Sequence, residues 1–383
     1  MSASLYLHIP FCEHKCIYCD FYSIAPGDSA ARDYATLIRE FLVSLEKEID
    51  LRSADRTLQS RFETVFFGGG TPSLLSPSDL QEILSLLRSS FTIDPDAEIT
   101  VETNPGTVDA GKLEAFRAAG INRLSIGIQS FHEDDLRFLT RIHSSQQAKE
   151  CVRAARDAGF ENVSVDLMFS LPGQSRERWM QNLEQAIALG PQHLSCYSLI
   201  VEPGTPLQRM VETKQIATLP PEVDADLYAT TIEMLMSNGF TQYEVSNFAR
   251  PGFHSRHNLN YWNRGNYLGF GPSAHSHWNG VRWWNVSNLN SYTQRIAQGQ
   301  LPVAGEERLS RDQAVEEEIF LGLRSTGIDI AGFRQRHDID LFERYGEVIE
   351  DLLRSGLAVF EHHVLRLTPT GYSLCDEIAL RLR

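Results

Sequence analysis

The chain has 383 residues, of which 42% are hydrophobic and 22% are charged, so we expect a globular protein with a sizeable core. A chain of this length predicts two or three domains. The formal net charge of −15 argues against a partner bound mainly by electrostatics, such as DNA, RNA or an anionic membrane surface.

The N-terminal residues have no basic region and no apolar stretch of signal-peptide length, and no run approaches the roughly 18 apolar residues of a membrane span. We therefore expect a cytoplasmic protein, in which the six cysteines do not form a disulfide framework. Cys12, Cys16 and Cys19 lie within eight residues of one another. Such clustering indicates metal or redox chemistry.

Six short apolar segments in the first half of the chain alternate with amphipathic, helix-like stretches. This rhythm predicts βαβ units and an α/β fold, a partial six-stranded parallel (β/α)6 TIM-like barrel. The predicted strands are 5–9, 64–67, 98–102, 123–128, 162–169 and 193–200. The predicted helices are near 30–52, 78–90, 109–119, 146–158, 176–189 and 222–238.

Polar motifs follow the predicted strands at one end. The cysteines follow the first strand, Gly-Gly-Gly-Thr-Pro at 68–72 follows the second, and Glu102 closes the third. Gln129 follows the fourth strand, and Asp166 lies in the fifth. In such barrels the chemistry is placed on the loops at the carboxyl ends of the strands, so we expect a site there.

The remainder of the chain changes character after residue 238. Residues 240–300 are rich in Asn, Trp, Tyr, Gly and His, and helical segments, a hairpin at 357–367 and a last helix near 372–382 then suggest a winged-helix-like module. From residue 306 onward there are 16 Asp or Glu against 10 Arg and no Lys, so we expect a lid or docking domain that binds no nucleic acid. The predicted divisions are 1–238, 239–303 and 304–383.

The three-cysteine loop has the spacing C-x3-C-x2-C. Thiolates suit iron–sulfur clusters and zinc, and this spacing lets one loop hold three corners of a cubane. A closed zinc site needs a fourth ligand, which His8, His14 or Asp20 could supply. A cluster held by three cysteines instead leaves one iron open for the amino and carboxylate groups of an amino acid.

Together with Phe-Phe-Gly-Gly-Gly-Thr-Pro at 66–72, the cysteine loop resembles the radical S-adenosylmethionine superfamily. The resemblance implies a 4Fe–4S cluster on the three cysteines and S-adenosylmethionine at the open iron. By a narrower similarity, that of residues 4–12 to the oxygen-independent coproporphyrinogen oxidase group, Tyr6 and Tyr18 would border the cofactor. Gly69, Gly70 and Thr71 would hold its methionine end, since glycines let the backbone approach a ligand closely.

Residues 4–12, 123–131 and 166–173 resemble the oxygen-independent coproporphyrinogen oxidase group. By this resemblance, Glu102 would face the ribose or an amine of the cofactor, and Gln129, Arg141 and Asp166 would line the same cavity. Arg141 could instead be a solvated helix charge, and Asp166 a buried structural carboxylate. Glu102 is harder to dismiss, because a buried acid is costly without a partner.

Two departures from the oxidase pattern argue against decarboxylase activity. The oxidase has another cysteine shortly after the third, where this chain reads Asp-Phe-Tyr at 20–22, and it has a long extension before its first strand. By contrast, His-Asn-Leu-Asn-Tyr-Trp at 257–262 matches the signature of the HemW-type heme chaperones. His257 is then the leading heme ligand, because imidazole commonly ligates heme iron. Alternatively His257 only locks its loop, with His254 or His275 as the ligand, or none.

We therefore expect a protein that binds heme and transfers it to an acceptor apoprotein, on a scaffold with a 4Fe–4S cluster and S-adenosylmethionine. The alternative is an oxygen-independent coproporphyrinogen III oxidase, and whether the chain is an enzyme stays open. A homodimer and peripheral membrane contact through the acceptor are both compatible with the sequence.

Overall fold

The computed structural model describes residues 2–28 and 33–382. Its first six strands lie side by side in chain order, and every neighbouring pair is parallel. The predicted partial six-stranded barrel is thereby confirmed. The strands are β1 Ser2–Ile9, β2 Arg61–Gly69, β3 Thr92–Thr103, β4 Arg123–Gln129, β5 Asn162–Phe169 and β6 His193–Ser198.

Helices connect these strands, and side-chain caps explain where most of them begin. Asp33, Ser76 and Ser144 each accept a hydrogen bond from a main-chain N–H in the first turn, which is the usual role of these residue types. The start of the first predicted helix, at residues 30–32, lies outside the described residues. The helices are α1 Tyr34–Ser53, α2 Pro77–Ser90, α3 Ala110–Ala118, α4 Glu133–Phe138, α5 Ser145–Asp157, α6 Arg176–Ala188, α7 Pro206–Glu212 and α8 Pro221–Ser237.

Alternation along each strand separates the core from the barrel interior. In β4, Leu124 and Ile126 are fully buried in the core that the helices cover. Arg123, Ser125 and Gly127 instead face the interior cavity. The barrel interior is therefore lined by polar side chains, while the apolar half of each strand packs against helices.

The segment from 239 to 308 extends the same sheet rather than only connecting two parts of the chain. Its strands were not predicted, because they are short and their partners are distant in sequence. β7 and β8 lie beside β6, while β9 runs parallel to β1 and is followed by an antiparallel meander. The elements are β7 Thr241–Gln242, β8 Asn247–Ala249, α9 Arg256–Trp262, β9 Asn266–Phe270, β10 His275–Trp278, β11 Val281–Asn285, α10 Leu289–Ala297 and β12 Val303–Arg308.

The C-terminal part has its own hydrophobic core and the predicted order of three helices and a hairpin, followed by two helices where one was predicted. Arg264 and Arg282 form ion pairs with Glu317 and so connect this part to the β9–β12 region. The predicted divisions at 238 and 303 remain predictions. The elements are α11 Arg311–Leu323, β13 Ile328–Asp329, α12 Ile330–His337, α13 Leu341–Arg354, β14 Ala358–Glu361, β15 Val364–Leu367, α14 Pro369–Tyr372 and α15 Cys375–Arg381.

Within the described residues, no helix combines the length and the apolar character that crossing a membrane requires.

Glu48 on α1 attaches the β9–β12 region to the barrel. Its buried carboxylate accepts hydrogen bonds of 2.7 Å from Gly271 N–H, the Asn285 amide and the Tyr292 hydroxyl. Replacing Glu48 with Ala removes the acceptor of three buried hydrogen bonds, so we expect the free energy of unfolding to fall by about 3–5 kcal/mol. Urea denaturation measures this loss, and the exposed Glu46→Ala is the matched control, expected within about 0.5 kcal/mol of the parent. Equal stability of the two variants would contradict this role.

Candidate cluster and cofactor site

A cavity of about 440 Å³ opens at the carboxyl ends of the barrel strands. It lies where the sequence predicted a site, and it gathers residues from the first strand–helix loop through the sixth strand. All predicted site residues line it except Tyr6 and His257. The predicted residues that line the cavity are Cys12, Cys16, Tyr18, Cys19, Gly69, Gly70, Thr71, Glu102, Gln129, Arg141 and Asp166.

Main-chain hydrogen bonds give the cysteine loop its shape. Cys12 N–H donates to the carbonyl of Ile24 at 3.0 Å, and Ile24 N–H donates to the carbonyl of Pro10 at 2.7 Å. Cys19 N–H donates to the carbonyl of Cys16 at 3.2 Å and so makes a turn. The loop therefore leaves β1 and returns beside it, with all three thiols half-buried and free of disulfides.

The glycine segment after β2 is held against this loop. Gly70 N–H donates to the carbonyl of Ile9 at 2.8 Å, and Thr71 N–H donates to the carbonyl of Phe11 at 2.7 Å. A Cβ atom at position 70 would lie 2.6 Å from the Phe11 carbonyl oxygen, which no real side chain tolerates. Glycine is therefore required for the close approach of these two segments, and the main chain beside the cavity stays open to a ligand.

The donor set fits a cluster better than a single metal ion. Burial raises the pKa of the Cys19 thiol to about 11 and also raises the pKa of Cys12, so metal binding would have to release their protons. Within the described residues, no three His, Cys, Asp or Glu side chains surround a single metal position. A cubane needs no such convergence, because each cysteine binds a different iron. Among the described residues, the side chains do not converge into a closed four-ligand arrangement.

Arg141 is not a solvated helix charge. Its Nη2 atom donates to Asn104 Oδ1 and to the carbonyl of Gly127, both at 2.6 Å, and its Nη1 atom lies 3.5 Å from Cys16 Sγ. Asn104 was missed as a site residue by the sequence analysis, although it stands two positions after Glu102 at the end of β3. Its position at a strand end was the available signal.

The carboxyl groups of Glu102 and Asp166 and the guanidinium group of Arg123 also line the cavity. Burial, and secondarily the nearby charge of Asp166, raises the pKa of Glu102 to about 8. Burial also raises the pKa of Asp166, whose carboxylate accepts hydrogen bonds from Ser125 at 3.1 Å and Ser164 at 3.2 Å. Arg123 was not predicted as a site residue, yet it is only 2% exposed, and its Nε atom has no hydrogen-bond partner among the described residues.

Tyr18 and Gln129 lie at the cavity wall. Tyr18 packs against a small apolar cluster that contains Leu139, Met168 and Leu171, and burial raises the pKa of its hydroxyl. Gln129 ends β4 with a left-handed φ of 69°, which turns the chain away from the strand. Both residues are placed to contact a molecule beside the cysteine loop.

Tyr6 lies behind the cavity wall rather than in it. Its ring stacks on Phe66 with centroids 6.2 Å apart, and its hydroxyl donates to His8 Nδ1 at 3.1 Å. His8 Nε2 in turn donates to the carbonyl of Tyr22 at 2.8 Å. Tyr6 therefore supports the first strand of the site, and direct contact with a cofactor stays a prediction.

His257 is 1% exposed, and both of its ring nitrogens are engaged. Nδ1 is hydrogen-bonded to Thr64 Oγ1 at 2.6 Å and Nε2 to the Tyr261 hydroxyl at 2.8 Å, while the ring stacks on Phe66 at 4.8 Å. Burial lowers its pKa to about 3, so the ring is neutral. This geometry corresponds to the second interpretation of His257, a residue that locks its loop. Ligation of heme iron by His257 requires release of one of these bonds and stays a prediction.

The fold and the three-cysteine cavity define a radical S-adenosylmethionine protein. The family described as the Radical SAM superfamily matches residues 6–186, and the HemN C-terminal domain matches residues 309–374. Superfamily membership implies a 4Fe–4S cluster and S-adenosylmethionine, and the free thiols beside an open glycine segment fit both.

Similar proteins narrow this assignment. The chain is 36% identical to the heme chaperone HemW of Bacillus subtilis, over 98% of this chain and 97% of that protein. It is 35% identical to the mitochondrial radical S-adenosyl methionine domain-containing protein 1 of Mus musculus, over 99% and 87% of the two chains. Coproporphyrinogen III oxidase (HemN) from Escherichia coli, a radical SAM enzyme, superposes with a TM-score of 0.83 at 25% identity, over 99% and 89%. The chain belongs to the HemW family.

The raised pKa of Glu102 predicts a pH-dependent stability. Between pH 4.5 and about 8 the carboxyl group is ionised in the unfolded chain but protonated in the folded one. The folded state then binds more protons, so the stability contributed by this residue falls as the pH rises through that window. In cluster-free protein, we expect the stability of the parent relative to Glu102→Gln to decrease from pH 5 to pH 8, as measured by urea denaturation. A difference that does not change with pH would contradict the assignment.

Proposed function

We propose that this protein binds heme and delivers it to an acceptor apoprotein. The observation that carries the proposal is the similarity to the heme chaperone HemW of Bacillus subtilis along nearly the whole length of both chains. A similarity of this extent includes the barrel, the 239–308 segment and the C-terminal part, so it does not rest on the cysteine loop alone. A cytoplasmic location fits this function and stays a prediction.

The cavity would hold the two cofactors of the superfamily. Cys12, Cys16 and Cys19 would bind the 4Fe–4S cluster, and the main chain of residues 69–71 with the Glu102 carboxyl group would hold the amino acid end of S-adenosylmethionine. When bound and reduced, this cluster can supply an electron to the sulfonium group. We propose that the loaded site controls heme transfer or subunit contact, and that the buried polar wall keeps water from the cofactors.

The 240–280 segment would bind the heme. Among its histidines, His275 is exposed and its ring stacks on Trp284 with centroids 6.0 Å apart. An accessible imidazole next to a broad aromatic face suits a porphyrin with an axial ligand. His254 stacks on Tyr243 at 4.4 Å, and His257 is buried. His275 is therefore the most accessible of these histidines, whereas His257 remains the candidate from the sequence signature.

The acceptor would dock at the mouth of the barrel. Phe21 after β1, Ile142 after α4 and Ile200 after β6 are 62%, 60% and 65% exposed. Phe21 and Ile200 line the cavity, and Ile142 lies beside the cysteine loop. Exposed apolar side chains grouped in this way are typical of interaction sites. The same surface would also serve as the interface of a homodimer. If the acceptor is bound to a membrane, docking at this surface would bring the protein into peripheral contact with that membrane.

The alternative function is oxidative decarboxylation of coproporphyrinogen III. The observation in its favour is the similar fold of the Escherichia coli enzyme along 99% of this chain. Asp20 and Phe21 stand where the sequence resemblance would place a further cysteine, which argues against this activity.

The ligand assignment is tested by heme titration. We expect His275→Ala to shift the Soret band and weaken heme binding at least about tenfold, because the exposed imidazole is lost. His257→Ala should lower the thermal stability, since Thr64 and Tyr261 lose their partner, and leave the Soret band of the folded protein in place. A Soret shift confined to His257→Ala would instead show that the loop opens and that His257 is the ligand.

The competing activity is tested separately. Anaerobic incubation of the reconstituted protein with dithionite, S-adenosylmethionine and coproporphyrinogen III should give no substrate-dependent protoporphyrinogen IX by chromatography. The variant Cys16→Ser provides the background rate without an intact cluster site. Product formation above that background would establish the decarboxylase in place of the chaperone.

A further inference from the structure

A continuous chain of hydrogen bonds joins two of the three cluster cysteines along the cavity wall. The Thr71 hydroxyl donates to Cys12 Sγ at 3.5 Å, and the Asn104 amide donates to Thr71 Oγ1 at 2.9 Å. Arg141 donates to Asn104 Oδ1 at 2.6 Å and, through its other terminal nitrogen, to Cys16 Sγ at 3.5 Å. We call these three residues, Thr71, Asn104 and Arg141, the thiolate arc.

Asn104 is the centre of the thiolate arc, and its own position is fixed by the main chain. Its N–H donates to the Ser73 hydroxyl at 3.4 Å, and its carbonyl accepts the Thr107 hydroxyl at 2.7 Å. The Ser73 and Thr107 hydroxyls are hydrogen-bonded to each other at 2.6 Å. The side-chain amide is therefore presented in one orientation, in which it donates on one side and accepts on the other.

The donors of the thiolate arc contact the sulfur atoms of Cys12 and Cys16, which would carry negative charge once a cluster is bound. Reduction adds one electron to the cluster, and part of that charge resides on the cysteine sulfurs. An N–H or O–H donor and a guanidinium cation next to those sulfurs stabilise the reduced state and so raise the reduction potential. Cys19 lies outside the arc and accepts a hydrogen bond from the Phe21 main chain instead.

We propose that Asn104 is a positioning residue that aligns Thr71 and Arg141 as donors to the cluster thiolates and thereby sets the reduction potential of the cluster. The proposal rests on the cluster assignment and is independent of heme delivery. Arg141 lines the cavity, as the sequence predicted, and it also contacts Cys16.

The test is a redox titration of the reconstituted protein. Dithionite supplies one electron per cluster through soluble mediators, and the electron paramagnetic resonance signal of the reduced cluster reports the midpoint. Asn104→Leu removes the donor and the acceptor while keeping the number and branching of the side-chain heavy atoms. At the midpoint of the parent, we expect the ratio of reduced to oxidised cluster to fall about tenfold, which corresponds to about 59 mV for a one-electron couple. The exposed Asn238→Leu is the matched control and should leave the midpoint unchanged.

Coupling within the arc distinguishes positioning from a local change of polarity. Thr71→Val removes the hydroxyl and should lower the midpoint, whereas Thr71→Ser keeps the hydroxyl and should restore it. If Asn104 aligns the donor, the shift caused by Thr71→Val becomes smaller in the Asn104→Leu background, as a double-mutant cycle measures. Arg141→Met should lower the midpoint further than Arg141→Lys, which retains a charge but cannot reach both partners.

Iron and sulfide analysis of every variant shows whether the cluster is complete. A complete cluster with the parent midpoint in Asn104→Leu, or equal Thr71→Val shifts in both backgrounds, would overturn the proposal. If Asn104→Leu fails to hold a cluster, Thr71→Val and Arg141→Met decide, and unchanged midpoints in both would overturn it equally. Loss of heme transfer in otherwise normal titrations would concern the proposed function alone.

Discussion

Two main-chain hydrogen bonds, from Gly70 N–H to the Ile9 carbonyl and from Thr71 N–H to the Phe11 carbonyl, hold the glycine segment against the cysteine loop. The rest of the site depends on this contact. It requires glycine at position 70, where a Cβ atom would collide with the Phe11 carbonyl oxygen. It also places the Thr71 hydroxyl beside Cys12. The same backbone contact therefore fixes the shape of the cysteine loop and positions a hydrogen-bond donor to the Cys12 sulfur.

The charged groups in the barrel interior have identifiable polar or charged neighbours. Near the cysteines, the two terminal nitrogens of the Arg141 guanidinium group are held by Asn104, Gly127 and Cys16. Further along the strands, Glu102 and Asp166 both have raised pKa values through burial, and Arg123 is the buried cation in range of both. A protonated Glu102 reduces the charge that the cavity must hold before a ligand arrives.

The features that depend on a local sequence pattern could be predicted from the sequence. The six barrel strands were readable from their alternation with helices, and the cysteines from a spacing that a single loop must satisfy. Asn104 and Arg123 were missed because their partners lie on other strands and loops, and a strand residue gives no sign of which buried group it faces. The short strands from 241 to 308 were missed for a related reason, since β9 is stabilised by pairing with β1, more than 250 residues earlier. The sequence signature identifies His257 but does not determine where its side chain lies. The hydrogen bond to Thr64, on a distant strand, fixes the position of the ring.

The most direct measurement of the central claim is heme transfer from the loaded protein to a purified cytochrome-type apoprotein, followed by the absorbance of the acceptor after separation of the two proteins. The parent should transfer its heme, and Cys16→Ser, which disrupts the cluster site, should bind heme but transfer it more slowly or not at all. A loaded parent that retains its heme in the presence of the acceptor, or loses it at the rate of free dissociation, would contradict the account.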